Sequence, residues 1–276
     1  GSVHGGQDDA GQDSALEATF GRRAGKQLRL FGYEAFARTG AAAAPAFGTA
    51  QSDYLLGPGD EIRVTIHGGK YDSNRRYTVN SNGDVIVDQL RPLTAAGQTL
   101  GELRRQIERE VEIALTGHEA FVSLDGMRRM GILVTGAVVR PGRHEVAGSA
   151  TLFDALTAAD GVDKLGSLRD VRLIRSGATR SIDLYGLLNG DDGTDPPLRD
   201  GDRIVVPPIG PTIAVAGQVK RPGIFELPAD GRKILREEAI ALAGGSILPG
   251  PARVVHFTIS DQGTEVPAEA DSGGHS

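Results

Sequence analysis

The chain has 276 residues, 39% of them hydrophobic and 24% charged, with a formal net charge of −6 and no cysteine. That length makes room for two or three separate cores. An acidic balance with no long Lys/Arg-rich face argues against nucleic acid as a partner, and the absence of thiols excludes disulfides, thiolate metal sites and cysteine nucleophiles. No apolar run reaches the roughly 18 residues of a membrane span. With 39 glycines and 14 prolines, short strands and tight turns are favoured over long helices.

Residues 1–13 are mostly Gly, Gln, Asp and Ser and are expected to stay mobile. The stretch 14–36 is helix-permissive and sets Leu16, Phe20, Leu28, Leu30, Phe31 and Phe36 beside Arg22, Arg23, Lys26 and Arg29. Gly21, Gly25 and Gly32 weaken a continuous helix, so docking on the protein's own surface or on a neighbour is expected ahead of a membrane role. The alanines 41–44 and Pro45 read as a linker.

The next block opens Leu56-Gly57-Pro58-Gly59-Asp60, with Pro and Gly placed as a type II turn requires. Ile62, Val64 and Ile66 alternate with Arg63 and Thr65, the period of a half-buried strand. The segments 77–79 and 85–87 flank Asn82-Gly83 and predict a hairpin. Thr99 and Glu102 form a capping-box pair ahead of Leu100, Leu103, Ile107 and Val111, one face of a helix. A strand at 121–124 closes the block, giving a small α+β domain.

A duplicated unit follows. Ile132, Val134, Gly136, Val138, Arg140, Pro141, Gly142 and Glu145 recur in register as Ile213, Val215, Gly217, Val219, Arg221, Pro222, Gly223 and Glu226, from 132 to 213 an offset of 81. In each copy the first strand is expected to end in Arg-Pro-Gly, read as a type II turn. Each then enters a helix, with Leu152, Ala155, Leu156 and Ala159 on one face of the first and Leu235, Ala239, Leu242 and Ala243 on one face of the second. Pro228-Ala229-Asp230-Gly231 reads as an extra turn in the second copy. The first copy continues through strands at 171–175 and 181–184 to the turn and closing strand of 198–207. The second reaches 253–259 with no counterpart of that strand before Ser276, which reads, like the tag-remnant Gly1-Ser2, as the mark of a piece of something longer.

Chemistry is sparse. His4, His67, His118, His144, His256 and His275 are scattered without ligand spacing, and no nucleophile elbow is present. The stretch 21–26 is too short for a phosphate loop and lacks its hydroxyl. Asp60, Asp200 and Asp202 flank glycines at strand mouths, where a carboxylate accepts backbone N–H groups and fixes the turn. Arg140 and Arg221 are not needed by turn geometry, so they are candidates for binding acidic groups of a neighbour or ligand. The candidate structural or interaction residues are therefore Gly57, Pro58, Gly59, Asp60, Arg140, Pro141, Gly142, Arg221, Pro222 and Gly223. No catalytic group, metal site or cofactor is expected.

The Leu-Gly-Pro-Gly-Asp turn with its alternating strand, Asn82-Gly83 and the sequence Thr99-Leu100-Gly101-Glu102-Leu103 together resemble the export domain of outer-membrane polysaccharide export proteins. The doubled unit resembles the SLBB β-grasp repeat that follows it in that family. Residues 30–36 are similar to a segment ahead of the export domain in longer relatives. The resemblance implies an α+β chain: an N-terminal segment and linker (1–50), an export domain (51–126) and two β-grasp domains (127–208 and 209–276, the second incomplete). It further implies a non-enzymatic periplasmic component, associated with the outer membrane of a Gram-negative bacterium. Such a component forms a homo-oligomeric ring through which capsular or exopolysaccharide passes, beside an inner-membrane copolymerase and tyrosine kinase. The sequence departs from the family in lacking a lipid-acceptor cysteine, a C-terminal amphipathic helix and a glycine in 89–93. A soluble β-grasp module binding a saccharide or small ligand is the alternative reading, and a polysaccharide lyase or hydrolase the third.

Overall fold

The computed structural model describes residues 13–37, 52–69, 72–191, 193–232 and 234–247, together with the strands Phe257–Ile259 and Glu265–Pro267. The glycine-rich start, the alanine linker, residues 253–256 and the end of the chain, with His4, His256 and His275, lie outside the described residues.

Helix α1 (Ala15–Ala24) is started by a capping box: the Ser14 hydroxyl accepts from the Glu17 N–H, and the Glu17 carboxylate accepts from the Ser14 N–H at 2.8 Å. Gly25, at φ 59°, ends it. The helix-permissive stretch is thus interrupted: the chain runs on through Leu28 and Leu30, both buried, into the short helix α2 (Glu34–Ala37). This strap packs on the protein's own surface.

In the first unit, β1 (Glu61–His67) pairs antiparallel with β2 (Ser73–Thr78). The short strands β3 (Asp84–Val85) and β4 (Leu93–Thr94) pair with each other. Helix α3 (Leu100–Ala114) starts at Thr99 with the expected capping box, and β5 (Glu119–Gly126) returns antiparallel along β1. The sheet order is β2-β1-β5. Ile62, Val64 and Ile66 are fully buried on one face, where Leu103, Ile107 and Val111 of α3 meet them.

The hairpin expected across Asn82-Gly83 does not form, because β2 pairs with β1 and Val85 with Leu93. The cause is local. The Asn80 side-chain oxygen accepts from the N–H groups of Asn82 (2.9 Å) and Asp84 (3.0 Å), which turns the chain without laying down a ladder. Next, in the turn closed by the Leu90 N–H on the Val87 carbonyl, Gln89 takes φ 68° at the third position, where glycine is at ease.

The first repeat comprises β6 (Arg129–Gly136), β7 (Gly142–Ala147), α4 (Leu152–Ala158), β8 (Val171–Arg175), β9 (Ala178–Ile182), α5 (Tyr185–Asn189) and β10 (Arg203–Val206). Its sheet runs β7-β6-β10-β8-β9. The last strand lies in the centre, parallel to β6 and antiparallel to β8, which makes a mixed β-grasp sheet. Gly136 sits at φ 90° directly against that central strand: a Cβ there would lie 2.0 Å from the Val206 carbonyl oxygen.

The second repeat has β11 (Thr212–Val215), β12 (Gly223–Glu226), α6 (Arg236–Leu242), β13 (Phe257–Ile259) and β14 (Glu265–Pro267), with β11 paired to β12 and β13 to β14. The duplication holds bond for bond. The Arg140 N–H donates to Ala159 and the Arg221 N–H to Ala243, both at 2.9 Å. Val138 bridges Val162 as Val219 bridges Ser246. The extra turn of the second copy closes with the Gly231 N–H on the Pro228 carbonyl.

Two expectations for the repeats are corrected. The first strand of the first copy ends at Gly136, and Arg-Pro-Gly leads into the second strand, since Gly142 and Gly223 begin β7 and β12. Gly142 has φ 145°, outside the type II value, and Gly223 has no positive φ. Leu235 also does not share the inward side of α6, where half-buried Leu242 and the buried C-cap Ala243 meet the core. It occupies the extended N-cap position, ahead of the helical period, and is 67% exposed.

There are two cores. One belongs to the first unit alone; the other runs without a break from Leu28, Leu30, Tyr33 and Phe36 of the strap through the first repeat to Ile224, Phe225 and Ala243 of the second. Truncating Ile107 to Ala is expected to cost the first unit about 2–5 kcal/mol. Hydrogen exchange should show faster opening of β1 and β5 with β6 and β10 unchanged. Gln89→Gly relieves a left-handed non-glycine residue and should stabilise the same unit by up to about 1 kcal/mol, read as a higher denaturation midpoint.

Candidate functional site: carboxylates buried at the seams

Asp60 is fully buried. The turn before it is type II in form: the Asp60 N–H donates to the Gly57 carbonyl (3.1 Å), Pro58 is exposed, and Gly59 takes φ 94°. The carboxylate accepts four hydrogen bonds. The Gly57 N–H and the Tyr54 hydroxyl reach it at 2.8 Å, and so does the Arg128 N–H, while the Arg128 guanidinium closes at 2.6 Å. Arg128 stands immediately before β6, so this ion pair ties the first unit to the first repeat. Gly57 makes room for it, because a Cβ there would lie 2.9 Å from the guanidinium carbon. Burial and then the Asp60 charge push the Tyr54 hydroxyl far up, so it stays a donor.

The turn before β10 repeats this arrangement. The Arg199 N–H donates to Asp202, which is buried, and Gly201 takes φ 82°. Arg175 clasps Asp202 with two bonds, 2.9 and 2.7 Å. Asp200, by contrast, is exposed and, among the described residues, accepts only from the Gly131 N–H.

Glu226 closes the second seam. Its side chain accepts from the Ser167 hydroxyl (2.6 Å) and the Leu168 N–H (2.9 Å) of the first repeat, and from the Gly210 N–H (2.9 Å). The Glu226 N–H donates to the Tyr185 hydroxyl at 2.7 Å. Its counterpart Glu145 is exposed. The strap crosses this seam. Phe31 lies between Tyr185 and Phe225, with ring centroids 5.1 and 5.4 Å away, and its N–H donates to the Ile224 carbonyl. Tyr33 donates to the Gly166 carbonyl, and Phe36 stacks on Phe153 at 4.9 Å.

Glu17, also buried, anchors the strap. It accepts from Lys164 at 2.8 Å and from the N–H groups of Ser14 and Leu30. Burial alone raises its pKa, but Lys164 and the two backbone donors outweigh that and hold it below the usual carboxylate value.

The other candidates are dispersed. Arg140, on the surface of the first repeat, pairs with Asp160 at 2.8 Å and donates to the Ala158 carbonyl; Pro141 is exposed beside it. Arg221 reaches across the second seam to the Asn189 side chain (3.0 Å) and lies 5.4 Å over the Phe31 ring. Pro222 is half-buried next to it, and Gly223 approaches the Arg29 carbonyl of the strap. Gly57, Gly59 and Asp60 meet Arg128, with Pro58 exposed in the same turn, but neither arginine turn joins them. Arg128, Glu17 and Lys164 were not singled out from the sequence. An arginine 68 positions from its carboxylate leaves no local pattern, whereas Glu226 carried a signal in its place in the repeat.

Among the described residues, no group of three or more His, Asp or Glu converges as a metal site, and no helix is long and apolar enough to cross a membrane. An open cleft of about 400 Å³ along α3 is lined by Gly97, Gln98, Glu102, Arg105, Gln106 and Arg109, with no nucleophile.

Three family profiles match the chain in succession: polysaccharide biosynthesis/export protein over residues 48–125, an SLBB domain over 131–206 and a second SLBB domain over 212–263. The chain carries a polysaccharide export domain followed by two SLBB domains. It is 32% identical over 202 residues to the polysialic acid transport protein KpsD of Escherichia coli, covering 72% of this chain and 36% of that protein. It is 30% identical over 175 residues to the EPS I polysaccharide export outer membrane protein EpsA of Ralstonia solanacearum, covering 61% of this chain and 45% of that protein. The chain thus spans less than half the length of these curated relatives. The seam at Asp60 joins the export domain to the first SLBB domain, and the seam at Glu226 joins the two SLBB domains.

Arg128→Ala leaves the Asp60 charge buried without its counter-ion and is expected to cost about 3–5 kcal/mol in chemical denaturation. The strap should be pH-dependent. Because the folded pKa of Glu17 is depressed, its contribution is fully present above the unfolded value of 4.5 and is lost as pH falls through the folded value. Exchange protection of the Leu30 amide should fall over that acid range. Glu17→Gln should flatten the dependence.

Proposed function

We propose that this chain is part of a capsular or exopolysaccharide export machine, a non-catalytic component that works in the periplasm at the outer membrane as a ring-forming conduit and assembly platform. The observation that carries this reading is the order of export domain, SLBB domain and SLBB domain, with each junction held by a buried and fully hydrogen-bonded carboxylate. Domains tied at each seam by directional hydrogen bonds to a buried carboxylate suit a wall built from repeated copies better than they suit a flexible enzyme. The names of the two relatives, one a polysialic acid transport protein and the other an outer membrane export protein, support the same assignment.

In this reading the partners are further copies of the chain, an inner-membrane copolymerase with its tyrosine kinase, and the polymer in transit. The engagement of Arg140 by Asp160 and of Arg221 by Asn189 and Phe31 favours the conduit over a ligand pocket built on those arginines.

The complete protein, extracted in detergent and examined by native mass measurement and electron microscopy, should form closed rings that retain the copolymerase. A strict monomer that retains none would overturn the proposal.

A further inference from the structure

The export-domain sheet has one face packed on α3 and one face that no described element covers. On the covered side stand Ile62, Val64 and Ile66 with Ala120 and Val122. On the open side the register sets Asn74, Thr65 and Phe121 in one row across β2, β1 and β5, and Arg76, Arg63 and Ser123 in the next.

We infer that this open face is a contact platform for an uncharged, hydroxyl-bearing stretch of a saccharide chain. The inference rests on the export reading above and adds to it a surface and a chemistry. Phe121 is 58% exposed in mid-strand, its ring 6.3 Å from that of His67. A lone exposed apolar side chain needs no explanation by itself. Here, however, it borders hydrogen-bonding groups left unused. Neither the Thr65 nor the Ser123 hydroxyl is hydrogen-bonded by any described residue, and Asn74 is engaged only through its oxygen, which accepts from Arg63. Both hydroxyls donate and accept, and the amide nitrogen donates.

A sugar ring carries the matching pair of surfaces, an apolar C–H face for the aromatic ring and hydroxyls at its edge for the neighbouring strand. Adjacent strands lie about 4.8 Å apart and like-facing residues about 7 Å apart along a strand, so the groups around Phe121 are within reach of one or two linked rings.

The charges select the class of saccharide. Arg63 pairs with Asp125 at 2.7 Å, and Arg76 pairs with Asp125 and, at 3.3 Å, with Glu61. Both guanidiniums are neutralised within the sheet, so among the described residues the face offers no free arginine for a carboxylated sugar. A second copy of the chain is disfavoured as the occupant, because one large apolar side chain does not make the apolar core that a stable protein interface needs.

The test uses the whole protein in a strain deleted for its own gene, with oligomers cut from that strain's surface polysaccharide as the titrant in calorimetry. Phe121→Ala should weaken binding about tenfold, Phe121→Tyr should retain it, and Thr65→Val with Ser123→Val should weaken it similarly, all with assembly size unchanged. Wild-type protein that restores surface polymer while Phe121→Ala binds as tightly as wild type overturns the inference alone. A change in assembly size with binding intact assigns the face to contacts between copies and also overturns it. Wild-type protein that fails to restore polymer overturns the export reading, and the platform with it.

Discussion

A carboxylate withdrawn from water is tolerated only where its lone pairs find donors, and the order of this molecule follows from that requirement. Asp60, Asp202, Glu226 and Glu17 are all nearly inaccessible, and each is supplied by donors from at least two separate stretches of chain. Hydrophobic contact between domains is tolerant of sliding, since it depends on area. A buried carboxylate with three or four directional donors is not. Three of these groups lie where separate segments of the chain meet, Asp60 between the two cores and Glu17 and Glu226 within the second, and they favour one relative placement.

The strap adds a topological consequence. It precedes the export domain in sequence but shares its core with the SLBB domains, so the chain visits the SLBB pair, builds the export domain and then returns. Leu30 pairs with Ile224 along the edge of β12, and Phe31 fills the space between Tyr185 and Phe225. The second seam is therefore closed twice, by the Glu226 carboxylate and by the strap beside it, with Tyr185 meeting both. The export domain, with its separate core, is held through Asp60 and Arg128 and the short connection into β6.

What could be read from the sequence was pattern, either within a few residues or, for the duplicated unit, in register across 81. The alternation of Ile62, Val64 and Ile66 and the Thr99 and Glu102 capping box are local regularities, the duplicated Arg-Pro-Gly unit is a long-range one, and together they conveyed the fold class and the order of units. The β2 pairing was misread because Asn82-Gly83 is a strong hairpin signal, while the side chain of Asn80 is what shapes that turn. Asp60 was recognised as a turn-fixing carboxylate, but its second task depends on Arg128, and no spacing rule connects positions 60 and 128. The strap illustrates the same limit: glycines 21, 25 and 32 correctly weaken one long helix, but nothing near Leu30 announces Ile224.

Duplication explains how such seams arise without new folds. The two repeats keep the same backbone bonds, from Arg140 to Ala159 and from Arg221 to Ala243, yet equivalent side chains serve opposite ends. Glu145 faces solvent while Glu226 is buried against Ser167 and Leu168; Arg140 pairs within its own repeat while Arg221 reaches into the neighbouring one. An exposed position on one copy becomes a junction on the next as soon as a donor set stands opposite it. Stacking a third unit by the same rule needs only another acid at the Glu145 or Glu226 position and a neighbour presenting a hydroxyl and free N–H groups.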